Sequence, residues 1–165
     1  MYMGVDQSYT STGVVILDDD NEIIFTTTIH SNKNKDIYDR AAHVASMIRS
    51  VASDHLISEV FLEGLSFGST GNVTRNLAGL QFLIIDYLKR EDIEYTIIAP
   101  PTLKKFATGN GRAKKDEMLA CAPDPVQSLL IGAYKKSKGL FDVVDAYWLA
   151  QMARQYDEPD ENEQE

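Results

Sequence analysis

The sequence has little cysteine and histidine and no long apolar run. Its one cysteine, Cys121, excludes an internal disulfide and any cysteine-cluster zinc site. The three histidines, His30, His43 and His55, are scattered without metal-ligand spacing, so we expect a surface or core role for each. No apolar stretch approaches the roughly 20 residues that a bilayer span requires. With 165 residues, the chain is expected to form one soluble, cytoplasmic domain.

The acidic charge of the chain is concentrated at one end. The formal net charge is −9, but residues 157–165 hold 6 acidic residues and no basic one. We expect this tail to be disordered, because a like-charged run without apolar residues cannot bury enough surface to order itself. The folded domain is therefore assigned to residues 1–156. Between Lys104 and Lys138, 8 basic residues face 3 acidic ones, so the overall charge does not exclude a polyanionic partner.

Hydrophobic periodicity predicts an α/β fold with a mixed sheet. The first three strands are joined by short polar connections, which favour an antiparallel meander. Pro100-Pro101 is expected to end the fifth strand, and a basic connection leads from there to the next helix. The order of elements indicates a mixed five-stranded sheet flanked by helices on both faces. The predicted strands are 1–7, 13–17, 22–29, 60–62 and 94–99, and the predicted helices are 36–54, 73–89, 114–122, 125–135 and 141–155.

Four carboxylates stand out by their positions. Asp6 lies near the end of the first strand, and Glu63 directly follows the apolar fourth strand. Asp142 and Asp145 are three residues apart at the start of the last helix and therefore share a helical face. Converging carboxylates form an oxygen-ligand site suited to Mg²⁺ or Mn²⁺. Taken singly, each acid could equally be a cap, turn or surface residue, so the hypothesis depends on their convergence.

Short segments resemble, in chain order, the motifs of RuvC-type Holliday junction resolvases, which have an RNase H-like (retroviral-integrase) fold. Residues 4–8, Gly-Val-Asp-Gln-Ser, are similar to the first motif, although Gln-Ser stands where the family commonly has Pro-Gly. Residues 61–63 resemble the second acidic motif, and residues 142–146, Asp-Val-Val-Asp-Ala, resemble the last. Lys104 and residues 109–115 are similar to the family's Lys followed by Gly-x-Gly-x-Ala-x-Lys. The resemblance covers about residues 2–153, and its compact form looks most like bacteriophage-encoded members.

The resemblance implies a Mg²⁺-dependent endonuclease that resolves four-way (Holliday) junctions, with other branched DNA as further candidate substrates, and leaves 5′-phosphate and 3′-hydroxyl ends. Two divalent ions about 4 Å apart would supply the water nucleophile and neutralise the charge on phosphorus and on the leaving oxygen. We predict that Asp6 bridges both Mg²⁺ ions, with Mn²⁺ as a substitute. Glu63, Asp142 and Asp145 are expected to complete the ligand shells.

The resemblance also implies a DNA surface and a homodimer. Basic side chains near the acidic motifs are expected to make salt-sensitive phosphate contacts, and an aromatic residue after the second motif is expected to contact the junction. The helix at 73–89 is apolar on more than one side, which fits a dimer interface, although a fully buried helix in a monomer is the alternative. The expected DNA-binding residues are Phe67, Arg75, Lys104, Lys105, Arg112, Lys114 and Lys115.

Two other functions compete with a junction nuclease. A non-catalytic protein that binds branched nucleic acid could use the same scaffold, and cleavage of a four-way junction in Mg²⁺ would discriminate the two. A sugar-kinase or actin-like nucleotide binder is the third class, because residues 4–13 loosely resemble the phosphate turn of those proteins. Such proteins need two domains of this kind, for which 165 residues are too few.

Overall fold

The computed structural model describes residues 1–65 and 71–157. Of the expected acidic tail, 157–165, the structure describes Asp157, which is the last residue of the final helix; the rest of the tail and the candidate DNA-binding residue Phe67 lie outside the described residues. The strands are β1 (Tyr2–Asp6), β2 (Thr12–Leu17), β3 (Ile23–Ile29), β4 (Glu59–Glu63) and β5 (Glu94–Ile98). The helices are α1 (Ile37–Asp54), α2 (Asn72–Arg90), α3 (Pro100–Thr108), α4 (Lys115–Cys121), α5 (Asp124–Ala133) and α6 (Leu140–Asp157).

The five strands form one mixed sheet in the order β3-β2-β1-β4-β5. β1 pairs antiparallel with β2, and β2 pairs antiparallel with β3. β4 pairs parallel with both β1 and β5. The predicted mixed sheet with an antiparallel β1–β3 meander is therefore confirmed. Because β1 and β4 run in the same direction and Val5 faces Leu62, the next residues, Asp6 and Glu63, meet at one edge of the sheet.

Helices cover both faces of the sheet, as predicted. On one face, α1 and α2 pack against Met3 and Val5 of β1 and their neighbours in β2. On the other face, α3, α4 and α6 pack against Val15 and Phe61. The alternation of side chains along each strand divides the apolar residues between these two cores.

Two glycines let α6 lie directly on the backbone of the sheet. A Cβ atom on Gly4 would come within 1.9 Å of the carbonyl oxygen of Ala146. A Cβ atom on Gly13 would come within 2.1 Å of the carbonyl oxygen of Asp142. Side chains at these positions would push α6 away, so the glycines bring the acidic start of α6 to the end of β1.

The connection after β5 contains a helix that the sequence interpretation missed. The Pro100-Pro101 pair was expected only to end the strand, but α3 begins at Pro100. Proline is compatible with the first turn of a helix, where its missing N–H group would have no intrahelical partner. Leu103 and Ala107 anchor α3 in the core, and Gly109 ends it with a left-handed φ of 78°. The segment is therefore a rigid element that carries Lys104 and Lys105, not a simple connection.

The helix α2 is only partly covered. Leu80, Ile84 and Leu88 are buried, whereas Val73 is 70% exposed and Phe82 is 74% exposed. The expectation that α2 is fully buried in the single chain is therefore wrong. Among the described residues, the helices lack the combination of length and apolar character that crossing a membrane requires.

Candidate active site

Three of the four predicted acids meet at one point. Asp6 ends β1, Glu63 ends β4, and Asp145 lies in the second turn of α6. Each contributes a carboxylate oxygen to a group in which all such atoms lie within 4.8 Å of one another. We call Asp6, Glu63 and Asp145 the acidic cluster. Its members come from three elements far apart in sequence, so the fold itself assembles the cluster.

Burial makes the ionised form of the cluster costly. Asp6 is 7% exposed and Asp145 is 3% exposed. Burial raises the pKa of Asp6 well above its ordinary value, and the neighbouring Glu63 and Asp145 carboxylates raise it further. Burial also raises the pKa of Asp145 to about 6, even though Lys115 acts in the opposite direction. Without a cation, the cluster therefore tends to retain protons.

Lys115 supplies one positive charge to the cluster. Its Nζ atom lies 2.9 Å from Oδ2 of Asp145. Burial lowers the pKa of Lys115, but the carboxylates of Asp145, Asp6 and Asp142 outweigh burial and raise it above its ordinary value. Lys115 therefore stays protonated at neutral pH. One lysine does not balance the three carboxylates of the acidic cluster, two of which are buried.

The cluster fits a divalent metal ion. The second oxygen of Asp145, Oδ1, is buried and has no hydrogen-bond partner among the described residues. A buried polar atom of this kind usually has a partner, and a bound ion is one explanation for its absence. The potential ligands are carboxylate oxygens, which suit Mg²⁺ and Mn²⁺.

Asp142, the fourth predicted acid, lies outside the acidic cluster. It is one turn earlier on α6, is partly exposed, and lines a cavity of about 670 Å³ together with Lys115. Its charge nevertheless raises the pKa values of Asp145 and Lys115, so it contributes to the electrostatics of the cluster. The structure thus brings three acids together and places the fourth beside them.

Two buried glutamines hold the backbone of Glu63, and the sequence interpretation missed both. The β1–β4 ladder ends at Val5 and Leu62. The Nε2 atom of Gln7 donates to the Glu63 carbonyl oxygen at 2.5 Å, and that of Gln81 donates to the same oxygen at 3.0 Å. A polar residue on the buried side of α2 was the available signal for Gln81. Together the glutamines fix the main chain from which the Glu63 carboxylate extends.

The turn between β1 and β2 does not form an open phosphate-binding turn. The Oγ atom of Ser8 accepts hydrogen bonds from the backbone N–H groups of Thr10 and Ser11. The Ser8 N–H group donates to Oγ1 of Thr12. These N–H groups are the donors that a nucleotide phosphate would need, so the structure gives no support to the kinase-like alternative.

The other predicted DNA-binding residues that the structure describes are exposed or partly exposed. Arg75 is in the first turn of α2, and Lys105 is on the exposed side of α3. Lys104 is partly buried on α3, while Arg112 and Lys114 lie exposed between α3 and α4. Of the predicted basic residues, Lys115 is the one whose ion pair reaches the cluster.

Comparison with known proteins gives one related sequence and several related folds. No family model matches the chain. The crossover junction endodeoxyribonuclease RuvC of Rickettsia africae is 26% identical over 121 residues, which covers 71% of this chain and 76% of that protein.

Solved structures of Holliday junction resolvases share the fold at low sequence identity. Thermus thermophilus RuvC in complex with a Holliday junction substrate matches with a TM-score of 0.70 and 12% identity, covering 90% of this chain and 88% of that one. The fowlpox virus resolvase with its Holliday junction DNA matches with a TM-score of 0.61 and 13% identity, covering 94% and 99%. The yeast mitochondrial resolvase matches with a TM-score of 0.62 and 11% identity, covering 93% and 77%. The chain therefore has the RNase H-like fold of these resolvases and resembles a bacterial RuvC in sequence.

Proposed function

We propose that this protein is a structure-specific endonuclease that resolves Holliday junctions by metal-dependent phosphodiester hydrolysis. The convergence of Asp6, Glu63 and Asp145, with a buried Asp145 oxygen that lacks a partner among the described residues, is the observation that carries this proposal. The sequence similarity to RuvC of Rickettsia africae and the fold shared with junction-bound resolvases support the choice of substrate. The products would carry 5′-phosphate and 3′-hydroxyl ends.

The acidic cluster would hold Mg²⁺, with Mn²⁺ as a substitute, and Asp142 beside it would serve a second ion. Bound divalent ions activate water and neutralise charge on the phosphate and the leaving oxygen. Asp6 must lose its proton when a cation is bound, because a protonated carboxyl is a poor ligand. Lys115 keeps its positive charge and can offer it to an oxygen of the scissile phosphate. The backbone contacts of Gln7 and Gln81 keep the Glu63 carboxylate in place.

Basic residues outside the cluster would hold the DNA backbone. Lys104 and Lys105 on α3 and the exposed Arg112 and Lys114 can bind phosphates without reading sequence. Arg75, at the start of α2, is a further candidate. Affinity for a junction would then fall steeply as salt rises, because each phosphate contact releases counterions.

A second copy of the chain would cover the exposed face of α2. Phe82, on the side of α2 opposite the buried Leu80 and Ile84, is a large apolar side chain that remains mostly exposed in the single chain. A two-fold dimer would present two active sites to the two symmetric strands of a four-way junction. A chain of this kind would act in the cytoplasm, or in the host cytoplasm if it is encoded by a bacteriophage.

A substrate panel tests the proposed activity. Labelled four-way junction, flap and linear duplex are incubated with the protein, each with Mg²⁺ and with EDTA. We expect paired cuts in the four-way junction in Mg²⁺ and none in EDTA. Binding of the junction without cleavage in Mg²⁺ or Mn²⁺ would contradict the nuclease and favour the non-catalytic junction-binding protein.

A further inference from the structure

A cavity of about 670 Å³ opens beside the acidic cluster. One wall comes from the β1–β2 turn and the β3–α1 connection, including Ser11 and Lys33. The opposite wall comes from the α5–α6 connection, including Lys138. Asp142 of α6 and Lys115 of α4 line the end next to the cluster. Four lysines and one histidine line this cavity, and its lining includes a single carboxylate, so we call it the basic pocket.

Hydrogen bonds give the first wall a fixed shape. The Nη2 atom of Arg40 donates to the Tyr9 carbonyl oxygen at 2.7 Å, and the hydroxyl of Ser31 donates to the same oxygen. The imidazole of His30 donates from Nδ1 to the Thr10 carbonyl oxygen at 3.1 Å. These contacts tie the β1–β2 turn to the β3–α1 connection. The wall is thus an ordered part of the fold.

The second wall is equally constrained. The backbone N–H groups of Lys138 and Leu140 both donate to the Lys135 carbonyl oxygen, at 2.9 and 3.2 Å. Gly139 has a left-handed φ of 93°, and a Cβ atom there would come within 2.5 Å of Thr28. Glycine therefore lets this connection approach β3 closely. Lys138 is held at the rim of the pocket by this turn.

Each wall of the basic pocket carries a lysine whose positive charge is not neutralised by an ion pair among the described residues. Lys136 pairs with Asp116 at 2.7 Å, and Lys115 pairs with Asp145. Lys33 and Lys138, in contrast, form no ion pair with any residue in the described ranges. The Ser11 hydroxyl, which lines the same cavity, is buried and lacks a hydrogen-bond partner among the same residues. Two free ammonium groups and an unsatisfied hydroxyl are the complement of an anion with several oxygens.

We propose that the basic pocket binds a backbone phosphate of the DNA strand that is cut, next to the scissile phosphate, with Lys33 and Lys138 as its cationic contacts. This proposal rests on the proposed nuclease function. The pocket shares Lys115 and Asp142 with the surroundings of the acidic cluster, so a strand whose phosphate lies at the cluster has its neighbouring phosphates beside the pocket. Such a contact would fix the direction in which the strand crosses the active site.

A pair of double variants tests the pocket. The variant Lys33→Ala/Lys138→Ala removes both unpaired charges from its walls. The matched control, Lys35→Ala/Lys135→Ala, removes the same charge from the same two connections at positions that do not line the pocket. Dissociation constants for a four-way junction are measured without Mg²⁺ across a salt series.

We expect the pocket variant to bind the junction about tenfold more weakly. The loss of one neutralised phosphate should reduce the slope of log K against log salt by about 0.9. The control should shift affinity less than threefold, and Lys33→Arg/Lys138→Arg should bind like the parent. Equal effects of the pocket variant and the control would overturn the pocket, whereas a parent that neither binds nor cuts the junction would overturn the proposed function itself.

Neutral phosphates locate the contact on the DNA. Methylphosphonates are placed one at a time at the phosphates flanking the cut. In the parent protein, one position should weaken binding about as much as the loss of Lys33 and Lys138. In the Lys33→Ala/Lys138→Ala variant, that same methylphosphonate should have no further effect. If the losses of affinity caused by the methylphosphonate and by the double variant add up fully at every phosphate position, the proposed contact would be contradicted.

Discussion

The two oxygens of the Asp145 carboxylate have different surroundings. Oδ2 pairs with Lys115, while Oδ1 is buried without a partner among the described residues. The acids of the cluster are therefore not equivalent. Asp145 forms an ion pair with Lys115, whereas Asp6 forms none among the described residues, and Lys115 only partly offsets the causes that raise the pKa of Asp6. Removing the charge of Asp145 would leave Lys115 without its partner. Asp6 is therefore the better position at which to test how much a buried carboxylate of the cluster lowers the stability of the fold.

The buried Asp6 carboxyl makes the metal-free protein less stable as pH rises. Folding raises its pKa above the ordinary 3.8, mainly through burial, so the folded state binds this proton more tightly than the unfolded state. This stabilisation is complete when the pH is below the pKa of Asp6 in the unfolded state. It is lost as the pH rises through the higher pKa of Asp6 in the folded state. We expect Asp6→Asn to melt several degrees higher than the parent in EDTA at pH 7, and this advantage to disappear at pH 4.

Thermal unfolding in EDTA at both pH values measures this difference, and each kcal/mol corresponds to about 2–4 °C in a chain of this size. Asp20→Asn, an exposed acid in the β2–β3 turn, serves as the control and should melt like the parent. An Asp6→Asn protein that melts below the parent at pH 7 without metal would mean that the carboxylate stabilises the fold.

At the scale of elements, α2 positions β4 through Gln81. In the variant Gln81→Leu, the Glu63 carbonyl oxygen loses one of its two side-chain donors, Gln81 and Gln7. We expect the free energy of unfolding to fall by about 1–2 kcal/mol, as for the loss of one buried hydrogen bond. The Mg²⁺ concentration for half-maximal cleavage should rise about tenfold, because groups that orient metal ligands typically contribute 10–100-fold in affinity.

Metal titrations of cleavage and of Mn²⁺ binding measure the effect of Gln81→Leu. Gln155→Leu, an exposed glutamine on α6, is the matched control. A stability loss with an unchanged metal requirement would assign Gln81 a purely structural role and contradict its influence on Glu63.

Elements with a local signal were predictable from the sequence, and contacts between distant residues were not. Short apolar or β-branched runs located the five strands, and strand ends pointed to Asp6 and Glu63. α3 was missed because a proline pair is compatible with both the end of a strand and the start of a helix. The Gln81 contact to Glu63 spans 18 residues and the Lys115 pair with Asp145 joins two helices, so neither is visible in any local pattern.

At the scale of the whole molecule, the proposed dimer depends on the exposed face of α2 that carries Phe82. Phe82 is 74% exposed, so Phe82→Asp should leave the stability of the single chain nearly unchanged while placing a charge in the proposed dimer interface. We expect sedimentation to show a dimer for the parent and a monomer for this variant at the same concentration. The control is Tyr38→Asp, which changes an aromatic residue on α1 that is 83% exposed, and this variant should remain dimeric. A parent that sediments as a monomer both free and junction-bound would refute the dimer.

The most direct test is the rate at which a pre-bound four-way junction is cut in Mg²⁺ by the parent and by Asp6→Asn. Asparagine keeps the shape of the side chain but removes the charge that is proposed to hold the cation. We predict that cleavage falls by at least about 10³-fold, as when a metal clamp on the transition state is lost. Junction affinity should stay level or improve, because a negative charge next to the phosphate is gone. An Asp6→Asn protein that cuts the junction at close to the parent rate would show that the acidic cluster is not the active site.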